Sequence, residues 1–214
     1  TNPVFVMYMA IANLLGIGAS ALISILLGQQ QKEKAKSASS FCCYASLIFG
    51  LVAGILILIF MNPLLSLLGS SENTWQYSKD YLFYIAIGAP FILFSNSFGH
   101  AVRGEGAARA SMIGGMIGTV ANIILDPIFI LTLNMGTAGA AIATVLGNIL
   151  ACVFYLGFFL TKKSTLSIHP RYFLSGLDVA RRLITIGLPA GINSALMSVA
   201  TILLNNSLVS YGDK

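Results

Sequence analysis

Charge is scarce in this sequence. Of 214 residues, 9% are Asp, Glu, Lys or Arg, against about 25% in a soluble domain. That excludes an ordinary soluble globule, whose surface needs such groups. Acids are scarcer still, seven against twelve Lys and Arg. Only one acid lies inside apolar sequence, so a prenyl transferase built on clustered aspartates is excluded. Cysteine is equally thin: Cys42 and Cys43 are adjacent and Cys152 is far away. No metal-ligand spacing results, and the three read as small apolar fillers.

Hydrocarbon is what the chain has instead. It is 57% apolar, with a mean hydropathy of +0.85. Six long apolar runs cover residues 3–27, 41–61, 81–102, 110–133, 138–160 and 183–209. Each is long enough to cross a hydrocarbon core of about 30 Å as a helix. The expected fold class is all-α, a polytopic protein with six transmembrane helices in a cell membrane. The first run has no basic flank and is too long for a cleaved signal peptide. The chain starts without Met inside one run and stops just after another, so a piece of a longer protein is expected.

The net charge of +5 is unevenly placed. Lys32, Lys34 and Lys36 follow the first run, and Arg103 and Arg109 the third. Lys162, Lys163, Arg171, Arg181 and Arg182 follow the fifth. The other connections hold Lys79 and nothing, with Lys214 after the sixth run. This alternation is the positive-inside pattern and puts those three loops in the cytoplasm. It argues against a nucleic-acid surface. The first helix then runs from outside to inside, which implies a further helix upstream. Residues 161–182 are polar and basic, carry His169 and Pro170, and read as a linker between two halves of a transporter.

One carboxylate breaks the hydrocarbon. Asp126 sits in "NIILDPIFI", with Pro127 behind it. A charged side chain at mid-membrane costs roughly 2.5–3.5 kcal/mol on insertion scales, so such groups face protein or water. Gly114, Gly118, Asn122 and Asp126 recur every four residues, one slowly turning helix face whose small residues admit a second helix. The next run answers with Gly136, Ala140, Thr144 and Asn148.

Folded about the turn "LNMG" near Met135, the two runs set Asp126 level with Thr144, and Asn122 level with Asn148. At about 1.5 Å per residue, Asp126 lies on the order of 13 Å below the outer end. Pro127 has no N–H, so the carbonyl of Ile123 loses its helical partner. A carboxylate, an amide, a hydroxyl and a freed carbonyl make an oxygen-rich pocket suited to a hard cation such as Na+. Burial also favours the neutral form of a carboxyl group, so the same pocket suits a proton. No cofactor is expected beyond that coupling ion.

Other polar groups are fewer. Asn13 and Asn96 either line a cavity or hydrogen-bond between helices. Ser97 and His100 share a helix face in "SNSFGH", but no partner motif accompanies them, so an intramembrane hydrolase is disfavoured. A passive channel or a purely structural bundle would have no use for a lone buried acid.

"NIILDPIFI", followed by "GTAGAAIATVLGN", resembles the multidrug and toxic compound extrusion (MATE) family. "GIGASALISILLGQQQKEKA" resembles that family's second helix and following loop, although Ile25 and Leu26 stand where many relatives have an arginine. "YIAIGAPFILFSNSFGHAVRGEGAARASM" is similar to its fourth helix and the Arg-Gly turn into the fifth. The resemblance implies most of one lobe of a twelve-helix, two-lobe transporter: helices two to six over residues 1–160, the cytoplasmic linker over 161–182, and the first helix of the second lobe over 183–214.

It further implies a secondary active antiporter that exports cationic or amphipathic compounds in exchange for H+ or Na+ by alternating access. Asn122, Asp126 and Thr144 match the cation-site positions, and an aspartate on the absent first helix completes that site in the family. Pro90 and Pro189 are candidate bending points. The implied partners are the lipid bilayer, drug-like small molecules and the remaining helices of the same transporter, with no nucleic acid. The alternative is a lipid-linked oligosaccharide flippase of the same superfamily. Flippases often carry more intramembrane basic residues, and these runs hold none mid-helix.

Overall fold

The computed structural model describes residues 2–67, 72–160, 164–174 and 177–212. The helices are α1 (Asn2–Gly28), α2 (Lys32–Ile59), α3 (Met61–Leu67), α4 (Glu72–Gly104), α5 (Ala108–Pro127), α6 (Gly136–Leu160), α7 (Pro170–Leu174) and α8 (Leu177–Gly212). A π-helical turn, Ile128–Thr132, continues α5. No strand occurs among the described residues.

Five helical stretches are long and apolar enough to span a membrane: Val4–Gly28, Lys32–Ile59, Trp75–Gly104, Ala108–Thr132 and Gly136–Phe159. They carry the first five apolar runs. The sixth run lies on α8, where most side chains beyond Met197 fall outside the described residues.

Helices α2 and α8 extend past their apolar runs because one face remains buried. In α2, Lys32 and Lys34 are exposed while Ala35 and Ala38 are fully buried. The first two turns are therefore amphipathic, and charge does not end the helix. Likewise α8 starts at Leu177, ahead of the run at 183, because Val179 and Ala180 are buried while Arg181 and Arg182 point outward.

Helix α4 is the hub, packing against α1, α2, α5 and α6. Its spanning window is 67% buried, whereas that of α5 is 6% buried, so α5 forms an outer layer. Two apolar clusters stack along α4. One gathers Leu15, Leu22, Cys42, Phe94, Phe98 and Tyr155; the other gathers Val4, Tyr8, Leu65, Leu82, Ile85 and Ala141. Outward faces carry large exposed hydrocarbons such as Ile48, Phe49, Leu51 and Leu131, a surface that only lipid or further helices would cover. Cys42, Cys43 and Cys152 are buried and free.

Two of the crossings set glycine against glycine, so that backbones meet directly. A β-carbon on Gly18 of α1 would lie 3.1 Å from the Cα of Gly187 on α8. One on Gly147 of α6 would lie 2.6 Å from the carbonyl oxygen of Gly118 on α5.

The basic ends of the helices are tied together. Ser40 Oγ donates to the Ser167 carbonyl at 2.7 Å, and Tyr44 Oη to the Ile168 carbonyl at 3.0 Å. Phe173 of α7 stacks on Phe41, centroids 5.9 Å apart. Glu105, in the turn from α4 to α5, accepts from Ser164 Oγ at 2.6 Å and from Thr165 Oγ1 at 3.0 Å. It also accepts from the Thr165 backbone N–H. The described part of the linker is thus strapped to α2 and to the α4–α5 turn.

Candidate functional site

The α5–α6 hairpin builds the site. Its arms close at Gly118 and Gly147, where neither side chain keeps the backbones apart. Asn122 and Asp126 follow Gly118 at one-turn intervals on α5 and are half-buried. Thr144 of α6 faces Asn122, with 3.3 Å between the Asn122 amide and Thr144 Oγ1.

The Asn122 amide can sit in either of two ways. With its nitrogen toward Asp126, it donates to Oδ2 at 3.1 Å and accepts from Thr144 Oγ1 at 3.3 Å. Turned over, its nitrogen donates to Thr144 Oγ1 at 3.3 Å, and Thr144 Oγ1 donates to the Ala140 carbonyl at 2.9 Å. The amide oxygen then faces Asp126 Oδ2. The first seating suits a carboxylate, which only accepts; the second suits a carboxylic acid, which can donate to the amide oxygen. Asp126 Oδ1 is buried without a hydrogen-bond partner.

The observed register differs from the one expected of a fold about Met135. Asn122 pairs with Thr144, not Asn148. The π-helical turn is the reason: Leu133 N donates to the Ile128 carbonyl at 3.0 Å, and Met135 N to the Phe129 carbonyl at 3.0 Å. These bonds take up chain before the turn and shift the facing pairs along. Asn148 also rolls away from α5, because residues four apart on a helix advance about 40° around it. It instead accepts from Ser95 Oγ of α4 at 2.5 Å and donates from Nδ2 to the Thr144 carbonyl at 2.8 Å. The α6 face that meets α5 is Thr144, Gly147, Ala151 and Tyr155.

Pro127 does not break the chain's helical course, which passes directly into the π-helical turn. The side chain of Ile123 is 64% exposed, so only its backbone carbonyl remains available to the site. Helix α4 likewise runs on through Pro90, and α8 through Pro189.

A cavity of about 480 Å³ extends from Asn122 and Thr144 toward the basic end. Asn96 and Asn148 line it. Asn13 does not: its Nδ2 donates to Ser194 Oγ of α8 at 2.9 Å, so it joins α1 to α8. Ser97 is buried and donates to the Ala12 carbonyl at 3.2 Å, which engages its hydroxyl in packing α4 on α1.

Three residues at or near the site are ones that sequence reasoning did not assign to it. His100 and Arg103 line the basic end of the cavity; at the end of an apolar run they look like ordinary boundary residues. Tyr81, on α4, lies within Coulomb range of Asp126. Its position at the start of an apolar run resembles that of any interfacial aromatic. No cluster of three metal-ligating side chains occurs among the described residues.

The MatE family model matches residues 1–128. The multidrug export protein MepA of Staphylococcus haemolyticus is 34% identical over 213 residues, covering all of this chain and 47% of that protein. The inward-facing structure of a multidrug resistance MATE family transporter of the MOP superfamily superposes with a TM-score of 0.89 at 32% identity, covering 95% of this chain and 46% of that one. An outward-facing structure, also described as a multidrug resistance MATE family transporter, gives 0.87 at 31% identity, again with 95% and 46% covered. The chain therefore spans about half the length of the relatives it matches.

Proposed function

The chain belongs to the MatE family of multi-pass membrane transporters, and on that premise we propose that it is most of the first lobe of a secondary active multidrug efflux antiporter. In this reading residues 1–160 are helices two to six, 161–182 the cytoplasmic linker, and 183–214 the first helix of the second lobe. The whole transporter exports cationic or amphipathic compounds in exchange for H+ or Na+.

Asp126 carries the proposal. Its Oδ1 is a buried acceptor with no partner, and burying an unsatisfied polar group costs free energy unless something binds it. Na+ at Oδ1 removes that cost, and a proton on Oδ2, donated to the Asn122 amide oxygen, reduces it by neutralising the group. Asn122 and Thr144 add further oxygens on the same side, which suits a hard cation. When Asp126 is charged, the Asn122 nitrogen turns toward it; when it is protonated, the oxygen does. Occupancy is thereby passed to Thr144 and so to α6.

Alternating access is supported by the near-equal likeness of this lobe to an inward-facing and an outward-facing relative. A fold that suits both states moves mainly as a unit, with the change concentrated at its joints.

The test uses the full-length parent protein in proteoliposomes, loaded with a fluorescent cationic dye under an imposed proton or sodium gradient. Wild type should extrude dye under one of the gradients, and Asp126→Asn should not. Equal transport by the variant would make the carboxylate structural.

A second reading, a lipid-linked oligosaccharide flippase, draws on His100 and Arg103 in the cavity wall, where they would meet a pyrophosphate. It predicts no dye efflux under either gradient but translocation of a labelled lipid-linked sugar.

A further inference from the structure

A second cavity, of about 450 Å³, opens at the basic end where α1, α2 and α8 meet. Its floor is aliphatic. Leu22 and Leu26 of α1 are 2% and 1% exposed, and Val179 of α8 is 8% exposed. Its rim is cationic, with Lys34 from α2 and Arg181 and Arg182 from α8. One carboxylate, Asp178, shares the rim. Among the described residues none of the three cations forms an ion pair, so the rim keeps a net positive charge.

We infer that this cavity binds the phosphate headgroup of an anionic phospholipid. Three like charges on two elements repel each other, and a phosphate between them relieves that repulsion. Basic pockets between helices at the cytoplasmic face are suited to anionic headgroups. Position selects the source of the phosphate. The cavity lies where the spans Val4–Gly28 and Lys32–Ile59 meet at the basic end, the level at which a bilayer presents its headgroups and a free phosphate ion is not held. A cavity of this size holds a headgroup.

The site would do more than anchor the chain to a membrane. On the proposed lobe assignment, Lys34 belongs to the first lobe, and Arg181 and Arg182 to the start of the helix that leads into the second. A bound lipid would bridge them beside the Gly18–Gly187 crossing, so anionic lipid content would set how firmly α8 is held to α2.

The experiment uses the purified full-length parent protein, titrated with phosphatidylglycerol, phosphatidylcholine or inorganic phosphate and read by native mass spectrometry. Wild type should retain phosphatidylglycerol well above phosphatidylcholine, and inorganic phosphate should not compete. Lys34→Ala/Arg182→Ala should lose retention by about 25-fold, about 5-fold for each cation removed. Lys32→Ala/Arg109→Ala, which removes equal charge outside the cavity, should retain the lipid as wild type does.

Asp178→Asn should tighten retention, a gain that damaged folding cannot mimic. Equal losses in the two double variants would overturn the site in favour of diffuse surface charge. Competition by inorganic phosphate would overturn the lipid as its occupant, and so would equal retention of the two lipids. The readout does not involve Asp126, so failure of the proposed transport function leaves this result standing.

Discussion

Gly18 and Gly187 lie back to back where α1 crosses α8: a β-carbon built on either would meet the other's helix, on Gly187 at the Leu14 carbonyl. Neither helix can yield without moving its backbone. Gly187→Ala should therefore destabilise the full-length protein by about 1–3 kcal/mol, the usual range for overpacking. A thermal melt in detergent would show it, and an unchanged melting temperature would mean the crossing is looser than described. Gly157, beside which an added β-carbon meets nothing within 4 Å, is the control: Gly157→Ala should leave the melting temperature unchanged or raise it.

Asn122 stands between Asp126 and Thr144. Asn122→Leu removes a hydrogen bond to a charged group, worth roughly 1.5–3 kcal/mol. Because the carboxylate loses the donor that favours its charged form, the expected result is a gain of about 10-fold in apparent affinity if the driving cation is H+, and a loss of that order if it is Na+, which forfeits a ligand oxygen, with the fold intact. Initial rates of dye efflux against cation concentration would report it. A change in maximum rate at constant affinity would place Asn122 outside the coupling site.

Glu105 holds the linker through Ser164 and Thr165. Glu105→Ala should free that strap, and residues 161–176 should be cut faster by trypsin. If the lost contacts hold the strap by about 1–2 kcal/mol, cleavage should speed up about 5–30-fold where opening is in rapid equilibrium. Glu105→Gln, which keeps the acceptor oxygen without the charge, should fall between the two.

Ser95 donates to Asn148 Oδ1 at 2.5 Å. In Ser95→Ala that oxygen loses its donor, and the cost should be about 1–3 kcal/mol. Pairing it with Asn148→Leu, which removes the stranded acceptor, should recover part of the loss. Melting temperatures of the two single variants and the double variant test this, and strictly additive losses would mean the two side chains do not interact.

The spanning helices and the acidic site were legible for different reasons. Runs of hydrocarbon set the positions of the five described spans, because a membrane tolerates no other backbone arrangement without closed barrels. Asp126 was visible because a lone acid in such a run is costly, and Asn122 because it lies one turn away on the same face. The hairpin register was not. Nothing in "IFILT" marks a π-helical turn, and that turn decides whether Asn122 meets Thr144 or Asn148. Tyr81, His100 and Arg103 were not assigned to the site because each sits where an apolar run gives way to polar sequence, and there polar residues are ordinary. Asn13 was ambiguous until Ser194 came within 2.9 Å across α1 and α8.

The π-helical turn at Ile128–Thr132 places one residue more between Asp126 and the outer hairpin than an α-turn would hold. In the gene that is a single codon. Deleting it would let the helix close as a regular α-turn, and the chain beyond would keep much of its facing, because the wide turn is what absorbs the extra residue. Phe129 of that turn now fills the space beside Gly139. The wide turn can therefore be removed by one in-frame deletion, with every side chain around Asp126 left unaltered.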